Sequence, residues 1–466
     1  MEPFSNCKQV TLAEMLTRRE QRADYQKLLL AEFSSPVISF TLNIPGPYKA
    51  FPLAKQSFLL GNELLRAALA GANISICSVS SDEGVFGYES LYAVSCDAKQ
   101  LKLMTSKIEE THPMGRFFDF DVIDTNGIKI SREAVGYSER TCIICGAPVF
   151  NCSRSRSHSV EELQKKTLDC MQSYFDSSVS SAIASYAQKA LLYELGTSPK
   201  PGLVDRINSG AHRDMDFFTF IDSACVLSPY FVNAAKAGMH ADLSMHERFQ
   251  RIQGYGICAE HDMFCSTNNV NTHKGIIFSL GILCCAAGMD YRENGGNPDI
   301  QNILSLASRL AMYSLPLLTA VSESSKSHGN IIYETHGIKG VRGEAASGFK
   351  SVKEFSLPIL KDLMQSQDIN TSSLIAFFHL LANVDDTNVI SRADLQTLRC
   401  IQNEVGQMLS SKPSKNDILS FAEALDRRFI ERNISAGGCA DLLCITWFLY
   451  FLERDSFYSP SLLHFA

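Results

Sequence analysis

Near residue 176 the chain changes pattern, and that change constrains the fold more than any other feature. Before it, short alternating runs and Gly/Pro breaks mix with helical windows; from Glu162–Leu191 onward, long windows of helical period dominate. The expected architecture is two-domain, with an α+β domain over 1–176 and a mainly all-α domain over 177–466. At nearly 290 residues, the second is large enough for one core.

In the first domain Leu12–Phe33 reads as an amphipathic helix, interrupted afterwards by Pro36 and by Pro45-Gly46-Pro47. Asn62–Ala70 reads as a second helix. Ile74–Val79, Glu89–Ser95 and Phe118–Val122 read as strands, and the Asn126-Gly127 turn returns the chain along Ile128–Ile130. In the second domain Ser181–Glu194, Lys274–Ala287, Ile375–Ala382 and Ala440–Leu452 read as helices. Ser198–Gly202 and Glu293–Pro298 read as breaks between them.

Charge narrows the function. The 466 residues carry a formal net charge of −7, and neither half has the cationic excess of a nucleic-acid or polybasic membrane-surface module. No nucleic-acid and no membrane partner is expected. The apolar stretches Gly275–Met289 and Ala440–Leu452 read as buried helices. Met1–Val10 has neither an early cationic region nor a following apolar core, so the 15 cysteines are expected in a reducing, cytoplasmic setting.

Chemistry gathers first at Gly115–Asp121. On a strand Asp119 and Asp121 face one side, where paired carboxylates suit Mg²⁺ while Arg116 meets a phosphate oxygen. Arg154, Arg156 and His158 alternate on a Ser-rich backbone that suits a polyphosphate. Cys142, Cys145, Cys152 and His158 are also a Zn²⁺ donor set. Their intervals follow no widely diagnostic zinc pattern and a second C-x-x-C is absent, so free thiols beside a phosphate-contacting turn are the favoured reading.

The second domain offers more. Lys200 lies in a Pro/Gly break, followed by His212, Arg213, Asp214 and Asp216, a proton acceptor among charged and metal-ligating groups. Thr272 is placed to cap a helix, with His273 and Lys274 near an anion at its start. Arg342 and Glu344 sit in a Gly-rich run without Walker A order, and Asp385-Asp386-Thr387-Asn388 is a dense set of oxygen ligands. Asn433–Asp441 supplies a Gly-rich turn before a buried helix, where Asp441 reads as a partner of the helix dipole. Polar, Gly-containing segments at the ends of apolar helices indicate a phosphate-handling cleft. Spacing alone leaves open a nucleotide or ADP-ribosyl-group hydrolase and a Zn-stabilised nucleotide-binding protein.

These motifs also resemble two families. Gly115–Val122, Arg140–Gly146 and Cys152–His158 resemble apo-citrate lyase phosphoribosyl-dephospho-CoA transferase. Ser198–Asp205, Ser209–Asp216, Val270–Gly275, Gly340–Gly348, Asp385–Asn388 and Asn433–Asp441 resemble, in order, triphosphoribosyl-dephospho-CoA synthase, with Ala436 where many members have Pro. The resemblance implies a fused enzyme with ATP and 3′-dephospho-CoA as substrates. The second domain would release adenine and form 2′-(5″-triphosphoribosyl)-3′-dephospho-CoA. The first would pass the group to a serine of the citrate lyase acyl-carrier (gamma) subunit, releasing diphosphate.

Under that resemblance Asp119 and Asp121 would hold Mg²⁺, with Arg116, Arg154, Arg156 and His158 on phosphates. In the synthase half Asp214, Asp216, Asp385 and Asp386 are metal or charge-stabilising candidates, and His212 or Glu344 is the base. Lys200, Arg213, His273, Lys274, Arg342 and Asn388 would contact the nucleotide.

Overall fold

The computed structural model describes residues 4, 7–318, 328–455 and 457. Contacts divide the chain into two compact units, Met1–Asp176 and Ser177–Ala466.

The first unit is α+β. Helix α1 (Leu12–Phe33) starts at a capping box in which Thr11 and Glu14 satisfy each other's backbone amides. Strand β1 (Val37–Leu42), helix α2 (Pro52–Gly71), the hairpin β2 (Ile76–Gly84) and β3 (Gly87–Val94), helix α3 (Ala98–Thr111), β4 (Phe118–Ile123) and β5 (Lys129–Ile130) follow. The antiparallel sheet has the order β2-β3-β1-β4-β5. Its central strand lies inside the segment that the sequence marks only as a proline break. Val37–Phe40 is fully apolar or small and buried, as a central strand requires. At the β4–β5 turn the Asp124 carboxylate accepts the Asn126 and Ile128 amides, and Gly127 has φ +80°.

Residues opposite each other in the sheet share a face. Phe40 and Phe120 form one such pair, and Phe40 also stacks on Phe58 of α2 at 5.3 Å. The opposite face carries Leu91, which packs with Leu29 of α1, as well as Glu89, Asp119 and Asp121. β5 pairs only with Val122 and Ile123, leaving the earlier edge of β4 without a strand. Side chains complete it: Glu109 accepts the Phe120 amide (2.9 Å), Lys102 donates to the Phe120 carbonyl (2.7 Å) and Arg140 to the Phe118 carbonyl (2.9 Å).

Short α4 (Val149–Ser155) precedes α5 (Val160–Gly196), which contributes residues to both units. The second unit is helical. It contains α6 (Phe217–Val226), α7 (Ser228–Met239), α8 (Met245–Ser266), α9 (Lys274–Asn294), α10 (Ile300–Ala311), α11 (His328–His336), α12 (Gly340–Ala346) and α13 (Leu357–Leu363). After these come α14 (Ile369–Asn383), α15 (Thr387–Arg392), α16 (Leu395–Ser410), α17 (Lys415–Glu431) and α18 (Gly437–Asp455). Helices α9 and α18 are buried almost all round, which explains their continuous apolar runs. Trp447 of α18 is fully buried, stacks on Phe451 and donates Nε1–H to Ser373 at 3.2 Å. Among the described residues, Phe217–Met239 and Lys274–Asn294 are long and apolar enough by length and composition to cross a membrane. The most apolar window of the second is 83% buried inside the core.

Candidate active sites

In the first unit β4 sets Asp119 opposite Thr41 and Asp121 opposite Ser39, so both carboxylates share the α1 side of the sheet. Glu89 on that side is held by Arg18 (3.0 Å) and Arg22 (3.3 Å) of α1. The two aspartates stay partly exposed. Asp121 pairs with Lys129 at 2.6 Å, and Asp119 lies 3.7 Å from Arg140. Burial, and next the Asp121 charge, push the Asp119 carboxyl above its usual range, against Arg140, Lys129 and Lys102. Two carboxylates on neighbouring same-face positions of one strand fit a divalent cation.

Arg116 sits in the turn Gly115–Phe117, half-buried, and forms no hydrogen bond among the described residues. Burial first, and Arg140 next, lower its pKa, the mark of a cation short of an anion. Arg154 and Arg156 are exposed, with Arg154 over the Phe150 ring at 5.5 Å. The placement of His158 departs from the phosphate role expected of it: the ring shares a cluster with Cys142, Cys145 and Cys152 whose donor atoms all lie within 4.8 Å of one another. Burial opposes ionisation of the Cys142 thiol, but amide hydrogen bonds from Cys145 and Ile144 and the neighbouring thiols bring its pKa down to about 7. Arg140 and Glu109 are the functional side chains that the sequence reading missed here. Arg140 stood inside a motif without a role, and Glu109 had no local signal on its helix.

In the second unit the motifs converge. The Ser198–Asp205 loop is tied to α17 by Asp426, which accepts the Gly202 amide (2.8 Å) and the Asn208 side chain (2.9 Å). Asp205 accepts the Lys200 and Ile207 amides. Two glycines make this crossing possible. A Cβ on Gly202 would lie 2.1 Å from the Ile434 carbonyl oxygen, and one on Gly210 would lie 2.4 Å from the Gly202 carbonyl carbon; φ is +67° and +57°. His212 reaches Ser435 at 3.1 Å, which joins this loop to the entry of α18.

At the centre Lys200, 1% exposed, donates to the buried Glu194 carboxylate. The Asp441 carboxylate packs against Gly275 at the start of α9, a Cβ there meeting its oxygen at 2.3 Å. It forms no hydrogen bond among the described residues. Burial, followed by the Glu194 and Asp386 charges, pushes Asp441 well above the usual carboxylate range, and burial likewise raises Glu194 and Asp386. A carboxylate centre faced by the single cation Lys200 among the described residues is short of positive charge and fits a divalent ion.

Several expected roles change. Asp386 caps α15 and accepts the amides of Asn388 (2.8 Å), Val389 (3.2 Å) and Cys439 (2.8 Å), so its oxygens are spent on positioning. Asp385 points away into an ion pair with Arg399 at 2.7 Å. Asp216 caps α6 through Thr219, whose amide lowers its pKa, leaving the exposed Asp214 and Arg213 nearby. Lys200 is committed to Glu194 and is not an open phosphate contact. Lys274 is exposed and pairs with Glu260 at 3.0 Å.

His273 is buried against Ser223 (2.6 Å), and burial, then the Lys200 charge, hold its pKa down at about 3; a neutral, enclosed ring is no anion contact. Thr272 donates to Ser223 instead of capping α9. His212 is a poor base for a geometric reason. Arg392 can only donate, so its contact with Nδ1 (3.4 Å) occupies the basic nitrogen, while Nε2–H donates to Ser435. Burial first, then Arg392, lower the His212 pKa. Glu344 is raised by burial and holds Ser351 through both oxygens. Arg342, half-buried on the same helix, forms no hydrogen bond among the described residues. Asn388 lies against the first turn of α18, its Nδ2 2.7 Å from where a Gly437 Cβ would stand. Glu194, Arg392 and Asp426 were missed because they lie on helices whose local sequence carries no site signal. Asp441 was visible but was read as a dipole partner.

Comparison with known proteins matches both halves. The family described as CitX, apo-citrate lyase phosphoribosyl-dephospho-CoA transferase, matches residues 10–174, and CitG, ATP:dephospho-CoA triphosphoribosyl transferase, matches residues 180–458. The CitXG protein of Leuconostoc mesenteroides subsp. cremoris is 33% identical over 96% of this chain and 98% of its own length. That of Haemophilus influenzae is 33% identical over 94% and 96%. A probable 2-(5''-triphosphoribosyl)-3'-dephosphocoenzyme-A synthase of Streptococcus equi subsp. equi is 36% identical over 59% of this chain and 97% of its own. With both family signatures in one chain and full-length relatives built the same way, the chain belongs to the CitXG family of bifunctional transferases, which build the citrate lyase prosthetic group and attach it to the acyl-carrier subunit.

Proposed function

We propose that residues 177–466 make the prosthetic-group precursor and residues 1–176 attach it, each at its own carboxylate centre. In the first reaction the 2′-hydroxyl of 3′-dephospho-CoA attacks the anomeric carbon of the ATP ribose. The ribose–adenine bond breaks, and adenine leaves with the proton released by the hydroxyl. Glu344, its proton affinity raised by burial, takes the hydroxyl proton and relays it to the departing adenine, while Arg342 meets the triphosphate. Glu194 and Asp441 hold Mg²⁺, with Asp386 and Lys200 fixing the surrounding backbone and charge. Asp214, Arg213 and Asn388 line the nucleotide approach.

In the second reaction the carrier serine oxygen attacks the phosphorus next to the ribose, and diphosphate leaves. Asp119 and Asp121 hold Mg²⁺, while Arg116, Arg154 and Arg156 orient the phosphates. In both sites a bound Mg²⁺ neutralises polyphosphate charge. The fifteen free thiols support a reducing cytoplasmic setting.

The observation that carries this reading is the convergence of Gly275, Asp386 and Asp441 on the Glu194–Lys200 pair, where closely placed carboxyl groups of raised proton affinity leave a deficit of positive charge. The test incubates the full chain with ATP, dephospho-CoA, Mg²⁺ and apo-carrier, and weighs each product. Asp441→Asn is expected to stop adenine release while supplied precursor is still attached, and Asp119→Asn to do the reverse. Loss of both reactions from either change would overturn the assignment. Water-dependent release of ribose phosphate without dephospho-CoA would favour a hydrolase.

A further inference from the structure

The segment Arg140–His158 brings three sulfurs and an imidazole to one point. We propose that Cys142, Cys145, Cys152 and His158 bind a structural Zn²⁺ that clamps this segment beside the Asp119 face of the sheet. Their donor atoms all lie within 4.8 Å of one another. A tetrahedral ion with bonds of about 2.3 Å sets its donors about 3.8 Å apart, so closure needs shifts of no more than about 1 Å.

The backbone is shaped for it. The Ile144 amide points at the Cys142 sulfur (3.5 Å), the Gly146 amide returns to the Cys142 carbonyl (3.0 Å), and Gly146 takes φ +72° to turn the chain. Thr141 and Pro148 close this knuckle as a bridge. Cys152 comes from α4, and a second turn, with Arg156 at φ +48°, brings His158 back. Independently of the sulfurs, His158 Nε2 is buried and has no hydrogen-bond partner among the described residues, a cost that a metal bond removes.

Thiolate and imidazole donors select zinc over Mg²⁺, and four protein donors leave no open position, which makes the site structural. Its consequence lies two residues away. Arg140 donates to the Phe118 carbonyl and to Glu109, both at 2.9 Å, and faces Asp119. Arg154 and Arg156 lie between the third and fourth ligands. The ion thus acts as a positioning device for the cations around the aspartate pair.

The test uses the full chain, purified untagged in a non-thiol reductant, with metal content measured after dialysis. One zinc per chain is expected. Cys145→Ser and His158→Ala should each weaken zinc binding by at least the roughly 10- to 100-fold seen when lesser supports of such sites are lost. Cys77→Ser and Cys96→Ser should leave it unchanged. Cobalt should give tetrahedral thiolate bands that His158→Ala alters, and chelation should raise amide exchange over residues 140–158. These readouts need no turnover, so they stand whether or not Asp119 serves the transfer. A reduced chain that takes up neither zinc nor cobalt stoichiometrically, or whose metal survives both ligand changes, overturns the proposal. Unchanged exchange after metal removal overturns the clamp.

Discussion

The two units solve one problem, managing polyphosphate charge, with opposite constructions. In the first, Asp119 and Asp121 stand two residues apart on β4, aligned by the pleat, and remain partly open to water beside Lys129 and Arg140. In the second, Glu194, Asp386 and Asp441 come from positions far apart in sequence, and α-helix termini and tight loops press them together out of water. A strand aligns ligands by local geometry and leaves them accessible. A helical core aligns them only through packing, and the resulting desolvation raises their proton affinity. The helical site should therefore be the more sensitive of the two to changes in packing and pH.

The largest effect expected on either side is that of Asp119→Asn, an isosteric change on a partly exposed strand position. It should slow attachment by about 1,000-fold, or about 4 kcal/mol, with adenine formation intact by product analysis. Gly210→Ala probes the opposite construction. The new methyl would meet the Gly202 backbone at positive φ, so denaturant unfolding should show a loss of about 2–4 kcal/mol, with synthesis failing and attachment surviving. Equal loss of both reactions would erase the contrast.

Arg392→Ala frees His212 Nδ1 and releases the Ala211 and Asn433 oxygens, and should lower the rate of adenine release about 10- to 100-fold. A change that is smaller per pH unit is expected from His273. Its folded pKa of about 3 lies below the ordinary 6.5, so the unfolded chain binds the extra proton between these values. Stability should therefore fall as pH drops from about 6.5 toward 3, by up to about 1.4 kcal/mol per pH unit from this ring, and His273→Asn should remove that slope from unfolding curves. Least of all, Arg399→Ala breaks the surface pair with Asp385 and a donation to Gln402 (2.7 Å) and should change stability by no more than about 1 kcal/mol, with synthesis unaffected.

Local pattern carried much of this in advance. Helix α1, the strands around Phe118–Val122 and the Asn126-Gly127 turn follow from periodicity and turn chemistry, and the pairing of Asp119 with Asp121 follows from the two-residue repeat. β1 was hidden because its neighbours Pro36 and Pro45 dominate the reading of that stretch, and the six residues of the strand itself, Val37–Leu42, are too few to announce a central strand. In the second unit the motifs were visible as fragments, and their roles were misread where a polar side chain serves the backbone. Asp386 and Asp216 look like ligands in sequence and act as caps.

From the residues alone came the α+β and helical halves, the motif order and the aspartate pair, since period, turn preference and residue type act over a few neighbours. Folding in three dimensions chose among equal-looking polar groups: it committed Lys200 to Glu194, tied His212 to Arg392, left Asp441 without a hydrogen-bond partner among the described residues, and gathered Cys142, Cys145, Cys152 and His158. Burial and the direction of a hydrogen bond depend on which distant segment arrives opposite a side chain, and no short window of sequence holds that information.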